Sequence, residues 1–596
     1  MLYLNETESI LKKDTWETVN KNLLAKMFAE YMYEDMIHPE EIEGGYVFTV
    51  DEDRKYRFQA EKRCFDSYDV NPGSIEVLED EEWKPAVSAI RFLTDIQPMI
   101  GMSSETAGHL IKELNHTLIA DATLLNNHTK TSDELVDLDY AELEGEMSGH
   151  PWITYNKGRI GFGFDDYAKY APENQQETKL FWIAVHRDRA QFQSVNELHY
   201  EKLILKELDD IILQHFNEIL RQNGKQPIDY YFIPVHEWQW KNVLIQNFPE
   251  DLANGMIVPL EEGTDHYLPQ QSIRTFVNTT NKLKSHVKLP MSILNTLVYR
   301  GLPSERTLIA PMVTEHIKGI YERDSFLKDE CEVVLPGEVA SINVDHPHYS
   351  KLKGAPYQYL EMLGTIWRES IYTYLKEGEQ PITLAALHHV DGNGKPYVQS
   401  LIEKSGLSAD EWVKQFFGVV MPPLLHFLYQ YGTVFSPHGQ NTILILKDYK
   451  PERLAVKDYV DDVNISDQPF PELEGVSEEL RTVLRSEPPE GLTQFIFTGL
   501  FICHLRYMSN VLVRNELMEE LAFWTHLAKS IEAYQKRFSH LEERFKLFDF
   551  FKPELTKLCL NRNRMVDYGY GDGDDRPHAS EFGKVRNALH ELRIDV

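Results

Sequence analysis

Cysteine is scarce in this 596-residue chain: Cys64, Cys331, Cys503 and Cys559 lie far apart, and no Cys-x-x-Cys pair occurs. A structural zinc site or an iron–sulfur cluster needs several thiolates at close spacing, so neither is supported. The four thiols read as reduced, partly buried groups of a cytoplasmic protein. Positive charge is also short. Lys and Arg number 61 against 94 Asp and Glu, a formal net charge of −33, which argues against nucleic acid or an anionic membrane as partner while leaving room for an amine-bearing small molecule. The first residues, Met1 to Glu8, have neither the basic start nor the apolar stretch of a signal peptide, and no later run reads as apolar for long enough to span a bilayer. A soluble, unexported protein is therefore expected. Three catalytic signatures are missing as well: the Gly-x-Ser-x-Gly elbow, the His-Glu-x-x-His helix and the dinucleotide-binding glycine pattern. Serine-hydrolase, zinc-protease and dehydrogenase readings lose ground accordingly. The Gly/Asp segment from Tyr568 to Asp575 lacks the glutamate that a calcium loop requires.

What is present begins with size. A chain this long exceeds what one hydrophobic core supports, so two or three lobes are expected. Helical periodicity (Val19, Leu23, Leu24, Met27, Phe28) with one strand-like piece at Tyr46 to Val50 makes residues 1–148 a mainly helical lobe. At Gly149-His150-Pro151 the composition changes, and residues 149–383 alternate strand-like runs (Phe181 to Val185, Tyr230 to Val235) with helical patterns, a mixed lobe. Residues 384–596 read as mainly helical, apart from one strand after Asn441, with an amphipathic helical hairpin from Leu512 to Phe551. The class is α+β.

Polar groups flank that one strand. Ser436-Pro437-His438-Gly439-Gln440-Asn441 precedes the apolar run Thr442 to Leu446, and Lys457-Asp458-Tyr459-Val460-Asp461-Asp462 follows. An imidazole and amides for phosphate oxygens, with hard carboxylates for a metal, are the set that phosphate and magnesium chemistry uses; a capped loop before a core strand accounts for the same residues. A second set lies at Ser272-Ile273-Arg274-Thr275, Lys288-Leu289-Pro290, Thr296 and Arg300. Many donors with few acceptors suit a polyanion such as a triphosphate, although a surface hairpin with solvated bases also fits. Period-two alternation puts Ser272 and Arg274 on one face of a strand. The glycine-rich residues 149–163 carry Lys157 and Arg159 but no Gly-Lys-Ser/Thr, so they are not a Walker A loop and serve equally well as a structural turn.

Taken in order, these segments resemble the aerobactin-synthetase (IucA/IucC) family, siderophore synthetases that work without a nonribosomal peptide template. The resemblance runs from about Gly149 to the C-terminus through Gly149-His150-Pro151 to Phe162, Pro234-Val235-His236-Glu237-Trp238-Gln239, Ser272 to Thr275, Lys288-Leu289-Pro290 with Thr296 and Arg300, His438 with Asn441, and Asp458. It implies a cupped hand of thumb, fingers and palm, commonly a homodimer, with ATP and Mg²⁺ in the palm. By match, Ser272, Arg274, Thr275 and Lys288 would hold phosphates, and Arg300 with His438 would line the place where a carboxylate meets the α-phosphate. Asn441 and Asp458 would hold nucleotide and Mg²⁺, with Asp458 as the metal ligand, and Thr296, Lys557, Asn561 and Arg562 would face the acyl substrate.

Ser436-Pro437-His438-Gly439, Leu454 to Asn464 and Cys559 to Arg564 with Arg576-Pro577-His578-Ala579 look most like the desferrioxamine, bisucaberin and alcaligin synthetases, which join N-hydroxy-N-succinyl diamines. Citrate or a citrate monoamide is the alternative acyl substrate. Ile153-Thr154 replaces a second His-Pro of many relatives, and Ser436 and Gln440 stand where relatives often carry glutamate; the lost carboxylate at Ser436 favours the succinyl reading. The implied chemistry has two steps, adenylation of a carboxylate with loss of pyrophosphate and attack of an amine on the acyl adenylate. Arg274, Lys288 and Arg300 would stabilise the charge and His438 would orient or deprotonate. A non-catalytic iron-release protein, by distant similarity of the C-terminal part to siderophore-related ferric reductases, is the competing class; it expects a cysteine cluster near the C-terminus, where only Cys559 stands.

Overall fold

The computed structural model describes Thr7, Glu8, residues 10–573 and residues 575–593. Met1–Glu6 of the N-terminal reading and Asp574 of the Gly/Asp segment lie outside these. Helices and antiparallel sheets are both abundant, the α+β class that the sequence implies.

Helices Lys13–Tyr33 and Ser104–Asn127 pack together near the N-terminus. Phe28 anchors their core, with ring centroids 4.4 Å from Phe58 and 4.3 Å from Phe92. Where one strand was expected, a five-stranded sheet forms, with a separate hairpin Ala60–Arg63/Ser67–Val70. Its strands are only three to five residues long, too short for a clear period, and the acidic run at Glu76 is itself a hairpin. Asp80 and Glu81 take φ of 51° and 64° at its turn, the left-handed pair that matches the strand twist.

The middle of the chain builds an eight-stranded antiparallel sheet in the order Tyr230–Val235, Thr178–His186, Ile257–Pro269, Thr275–Asn278, His286–Lys288, Gly364–Arg368, Glu338–Asn343, Gln191–Ser194. Helix Ser304–Arg323 lies against the strand Glu338–Asn343. One sequence expectation fails here. Ser272 and Arg274 do not share a strand face; they sit in the turn before Thr275–Asn278, bent by Ile273 at φ 64°.

The last part packs helix Ala409–Tyr431, closed by a Ser408/Glu411 capping box, against helix Glu520–Arg537. It carries more strands than the one expected, among them the three-stranded sheet Glu379–Thr383, Thr442–Lys447, Lys450–Val456. Thr442–Lys447 is the apolar strand read from sequence, buried at every position except Lys447. The helical run Pro489–Arg514 is long and apolar enough by composition to cross a membrane, contrary to expectation, yet 72% of its most apolar window is buried inside the protein. It reads as a core helix, with a π-helical stretch at Phe497–Leu505.

Candidate active site

The hairpin Thr442–Lys447/Lys450–Val456 explains how two polar segments meet. Thr442 pairs with Val456, so the residues before one strand and after the other leave the sheet at the same edge, and the Lys457 N–H donates to the Asn441 carbonyl at 3.0 Å. Sequence placed these groups at opposite ends of a strand; the antiparallel return brings them to one end. Asp458 then adopts φ 71° and opens the helical turn Tyr459–Asp462, which gathers Asp458, Asp461 and Asp462 at one place.

Cations come from the eight-stranded sheet. Lys288 Nζ donates to Asp458 Oδ1 at 2.5 Å and to Asp461 Oδ2 at 2.8 Å. Arg368 Nη2 lies 3.1 Å from Asp458 Oδ1 and 3.2 Å from Glu338 Oε1. Arg274 gives one Nη to Asp461 Oδ2 at 3.1 Å and the other to the Gly301 carbonyl. Glu338 also accepts the Val460 N–H at 3.1 Å. Burial opposes ionisation of Asp458 and Asp461, but Lys288 with Arg368, and Lys288 with Arg274, outweigh it and hold both carboxyls below the usual range. Asp462 differs: burial first, then the charges of Asp458 and Asp461, push its carboxyl well up. Asn441 Nδ2 donates to it, and His438 Nε2 stands 4.0 Å away. Asp458, Asp461 and Asp462 edge a cavity of about 730 Å³ that Ser272, Arg274, Arg300, His438 and Asn441 also line.

Arg300 is the exception among these cations. It donates to the Asn295 carbonyl at 3.2 Å and to Thr296 Oγ1, and among the described residues no carboxylate comes within 4.0 Å of it. Burial, with Arg274 and Arg576 nearby, brings its pKa down to about 9, which leaves it cationic at neutral pH. His438, 29% exposed, is pushed down to about 4, chiefly by burial, so its ring is neutral.

Other expected site residues are placed elsewhere. Lys288 is almost wholly buried behind the wall, and Thr275 is a buried strand residue whose N–H donates to Ser272 Oγ at 3.1 Å. Thr296 serves Arg300. Lys557, Asn561 and Arg562, expected to face acyl substrate, do not line the cavity. Lys557 pairs with Asp35 at 2.6 Å. Asn561 donates to Glu34 Oε1 at 2.8 Å and accepts the Thr154 N–H at 3.0 Å, and Arg562 stacks 3.7 Å over the Phe582 ring. The Lys557 and Asn561 side chains and the Arg562 N–H, which donates to Glu34 Oε2 at 2.6 Å, tie the C-terminal segment to the end of the N-terminal helix, a task that residue type cannot distinguish from ligand binding. Sequence reasoning missed Glu338, Arg368, Arg306, Glu361 and Arg485, which have no local pattern. Arg576 and His578 belong to the Arg576-Pro577-His578-Ala579 segment, whose sequence alone points to no role for either.

Residues 139–389 match the model of the IucA / IucC family, and residues 410–573 match that of the ferric iron reductase FhuF-like transporter. The chain is 43% identical over 578 residues to the rhizobactin siderophore biosynthesis protein RhbF of Rhizobium meliloti (strain 1021), covering 97% of this chain and 96% of that one. It is 27% identical over 615 residues to the citryl-spermidine/3,4-dihydroxybenzoyl-citryl-spermidine:spermidine ligase of Bacillus anthracis, covering 99% and 97%. Among solved structures, aerobactin synthetase IucC from a hypervirulent pathotype of Klebsiella pneumoniae superposes with a TM-score of 0.86 at 31% identity, covering 98% of this chain and 100% of that one. The four cysteines are free, and among the described residues no group of three or more His, Cys, Asp or Glu stands ready for a metal, which removes the cysteine cluster that the iron-release reading needs. The full-length likeness decides the assignment: the chain belongs to the IucA / IucC family of siderophore synthetases.

Proposed function

We propose that the protein is an ATP-dependent ligase that adenylates a carboxylate of citrate or of a citrate monoamide and transfers the acyl group to an amine. AMP and pyrophosphate are released. The observation that carries this reading is the uncompensated Arg300 across one cavity from the Asp458–Asp461–Asp462 cluster: one wall receives anionic oxygen, the other balances a cation. In the first step a carboxylate oxygen attacks the α-phosphorus and the bond to the β-phosphate oxygen breaks. Arg274 and Arg300 offer preorganised donors for the developing charge. In the second step the amine nitrogen attacks the acyl carbon, AMP departs, and the amine proton is lost; a neutral His438 can accept it or hold the amine in line.

Among the described residues no three carboxylates are arranged as a metal site by themselves; a magnesium ion would arrive with the nucleotide and take oxygens of the aspartate cluster. Asp461 Oδ1 is buried without a hydrogen bond, and Asp462 is the carboxyl whose charge is least compensated. Asp458, Asp461 and Asp462 would hold the ion, which would neutralise phosphate charge.

Citrate displaces the succinyl substrate favoured on sequence. One relative is named as a ligase of citryl-spermidine, and Ser436, whose missing carboxylate argued against citrate, packs beside Gly499 and does not line the cavity. A cytoplasmic homodimer is part of the proposal, to be tested by light scattering. The central test is exchange of labelled pyrophosphate into ATP with citrate, a citrate monoamide or an N-hydroxy-N-succinyl diamine as carboxylate. Exchange dependent on a citrate compound is expected; exchange driven only by the succinyl compound would overturn the substrate, and none with any carboxylate the activity.

A further inference from the structure

A second guanidinium without a carboxylate partner lines the same cavity, at its exposed mouth, where His578 is exposed as well. Arg485, between helix Glu478–Val483 and strand Ser486–Glu487, has no carboxylate within 4.0 Å among the described residues, and its one side-chain hydrogen bond there runs from Nη1 to His578 Nε2 at 3.3 Å. An arginine only donates, so His578 accepts through Nε2 and carries its proton on Nδ1, a further donor. Arg306, from the first turn of helix Ser304–Arg323, completes this corner and reaches Asp461 Oδ1 at 3.5 Å. Of the carboxylates beside these residues, Asp461 is engaged by Lys288 and Arg274, Asp575, 3.8 Å from His578 Nε2, is 73% exposed, and Glu305 and Glu487 line the cavity without an ion pair to Arg306 or Arg485 within 4.0 Å among the described residues.

Three separate elements thus bring donors to one corner in a chain of net charge −33, and Arg306 links that corner through Asp461 to the cluster proposed to hold the magnesium. We infer that Arg306, Arg485 and His578 form the receiving corner for the β- and γ-phosphates of ATP and so for the pyrophosphate that leaves. The inference rests on the proposed adenylation and adds which residues take up the leaving group. When the bond to the α-phosphorus breaks, its electron pair stays on the bridging oxygen of pyrophosphate, and charge-assisted donors aimed at that group lower the barrier and hold the product.

The test uses the full-length protein and inorganic pyrophosphate as probe. In the exchange reaction, Arg485→Ala should raise the KM for pyrophosphate about tenfold, the size of one lost charge-assisted hydrogen bond, and leave the KM for the carboxylate unchanged; Arg485→Lys should recover part of the loss. Direct titration of pyrophosphate by calorimetry should show the same drop in affinity. A rise in the carboxylate KM alone would assign the corner to the acyl substrate, and no change in either would make Arg485 a solvated surface residue; both outcomes overturn the inference. If wild type exchanges nothing with any carboxylate, the adenylation reading fails, while calorimetry still reports whether pyrophosphate binds through Arg485.

Discussion

Lys288 Nζ lies 2.5 Å from Asp458 Oδ1 across 170 residues of chain, and that contact joins a strand of the eight-stranded sheet to the turn after the three-stranded one. Lys288 is 1% exposed. Removing one partner of such a pair strands buried charge. Lys288→Met should therefore cost about 3–5 kcal/mol and lower the melting temperature clearly. Adding Asp458→Asn should restore part of the loss, and a Lys288→Met variant that melts like wild type would show that the pair does not hold the fold.

Arg300 should behave in the opposite way. It has no carboxylate to leave behind, so Arg300→Met should keep the unfolding free energy within about 1 kcal/mol of wild type while reducing pyrophosphate exchange roughly a hundredfold. Loss of stability with unchanged exchange per folded molecule would remove Arg300 from the catalytic set.

For Arg274 both effects should appear. Arg274→Ala removes a donor from the cavity and one neutralising charge from Asp461, and exchange should fall by about a hundredfold, roughly 3 kcal/mol in the barrier. Circular dichroism of the variant should retain the wild-type helix and sheet signal. Unchanged exchange would contradict its role.

Stability should fall on acidification from about pH 6.5 towards 4. Burial brings His388, His389 and His438 down to about 4 and His236 to about 3, below the ordinary value near 6.5 that these rings regain on unfolding. The unfolded chain then binds more protons in that window, so the contribution is complete above pH 6.5 and is lost as pH falls. Glu34 and Glu113, both pushed up to about 7 by burial, act in the opposite direction between pH 4.5 and 7, and the imidazoles outnumber them. Melting temperatures across pH 4–8 check the sign. Above about pH 5 His438 stays neutral, so an acid limb in amine capture above that pH belongs to the amine, and His438→Gln should not move it.

Asn561→Ala separates structure from substrate binding. The amide bridges Glu34 and Thr154, so its loss should cost about 1–3 kcal/mol with an unchanged KM for the acyl substrate. A raised KM at wild-type stability would return Asn561 to the substrate site.

The sequence was most legible where chemistry and chain order coincide. The apolar strand Thr442–Lys447, with His438 and Asn441 before it and the three aspartates after it, could be read directly, and Arg274, Arg300 and His438 do share a cavity. Arg368 and Glu338 could not be read, because each is the end residue of an ordinary strand and they meet only through the register Glu338↔Arg368. Ser272 and Arg274 were misplaced on a strand because alternation cannot reveal a left-handed turn at Ile273. Lys557, Asn561 and Arg562 were read as substrate contacts because a buried amide or cation looks the same whether it grips a ligand or another part of the chain.

The Lys288–Asp458 and Arg274–Asp461 bridges run between the eight-stranded sheet and the turn that follows the three-stranded one. Neither sheet owns a complete site. A protein split between them would yield fragments each carrying half of a charge balance, inactive apart and regaining activity only when mixed, so that complementation of severed halves reads out how firmly the two sheets are held together.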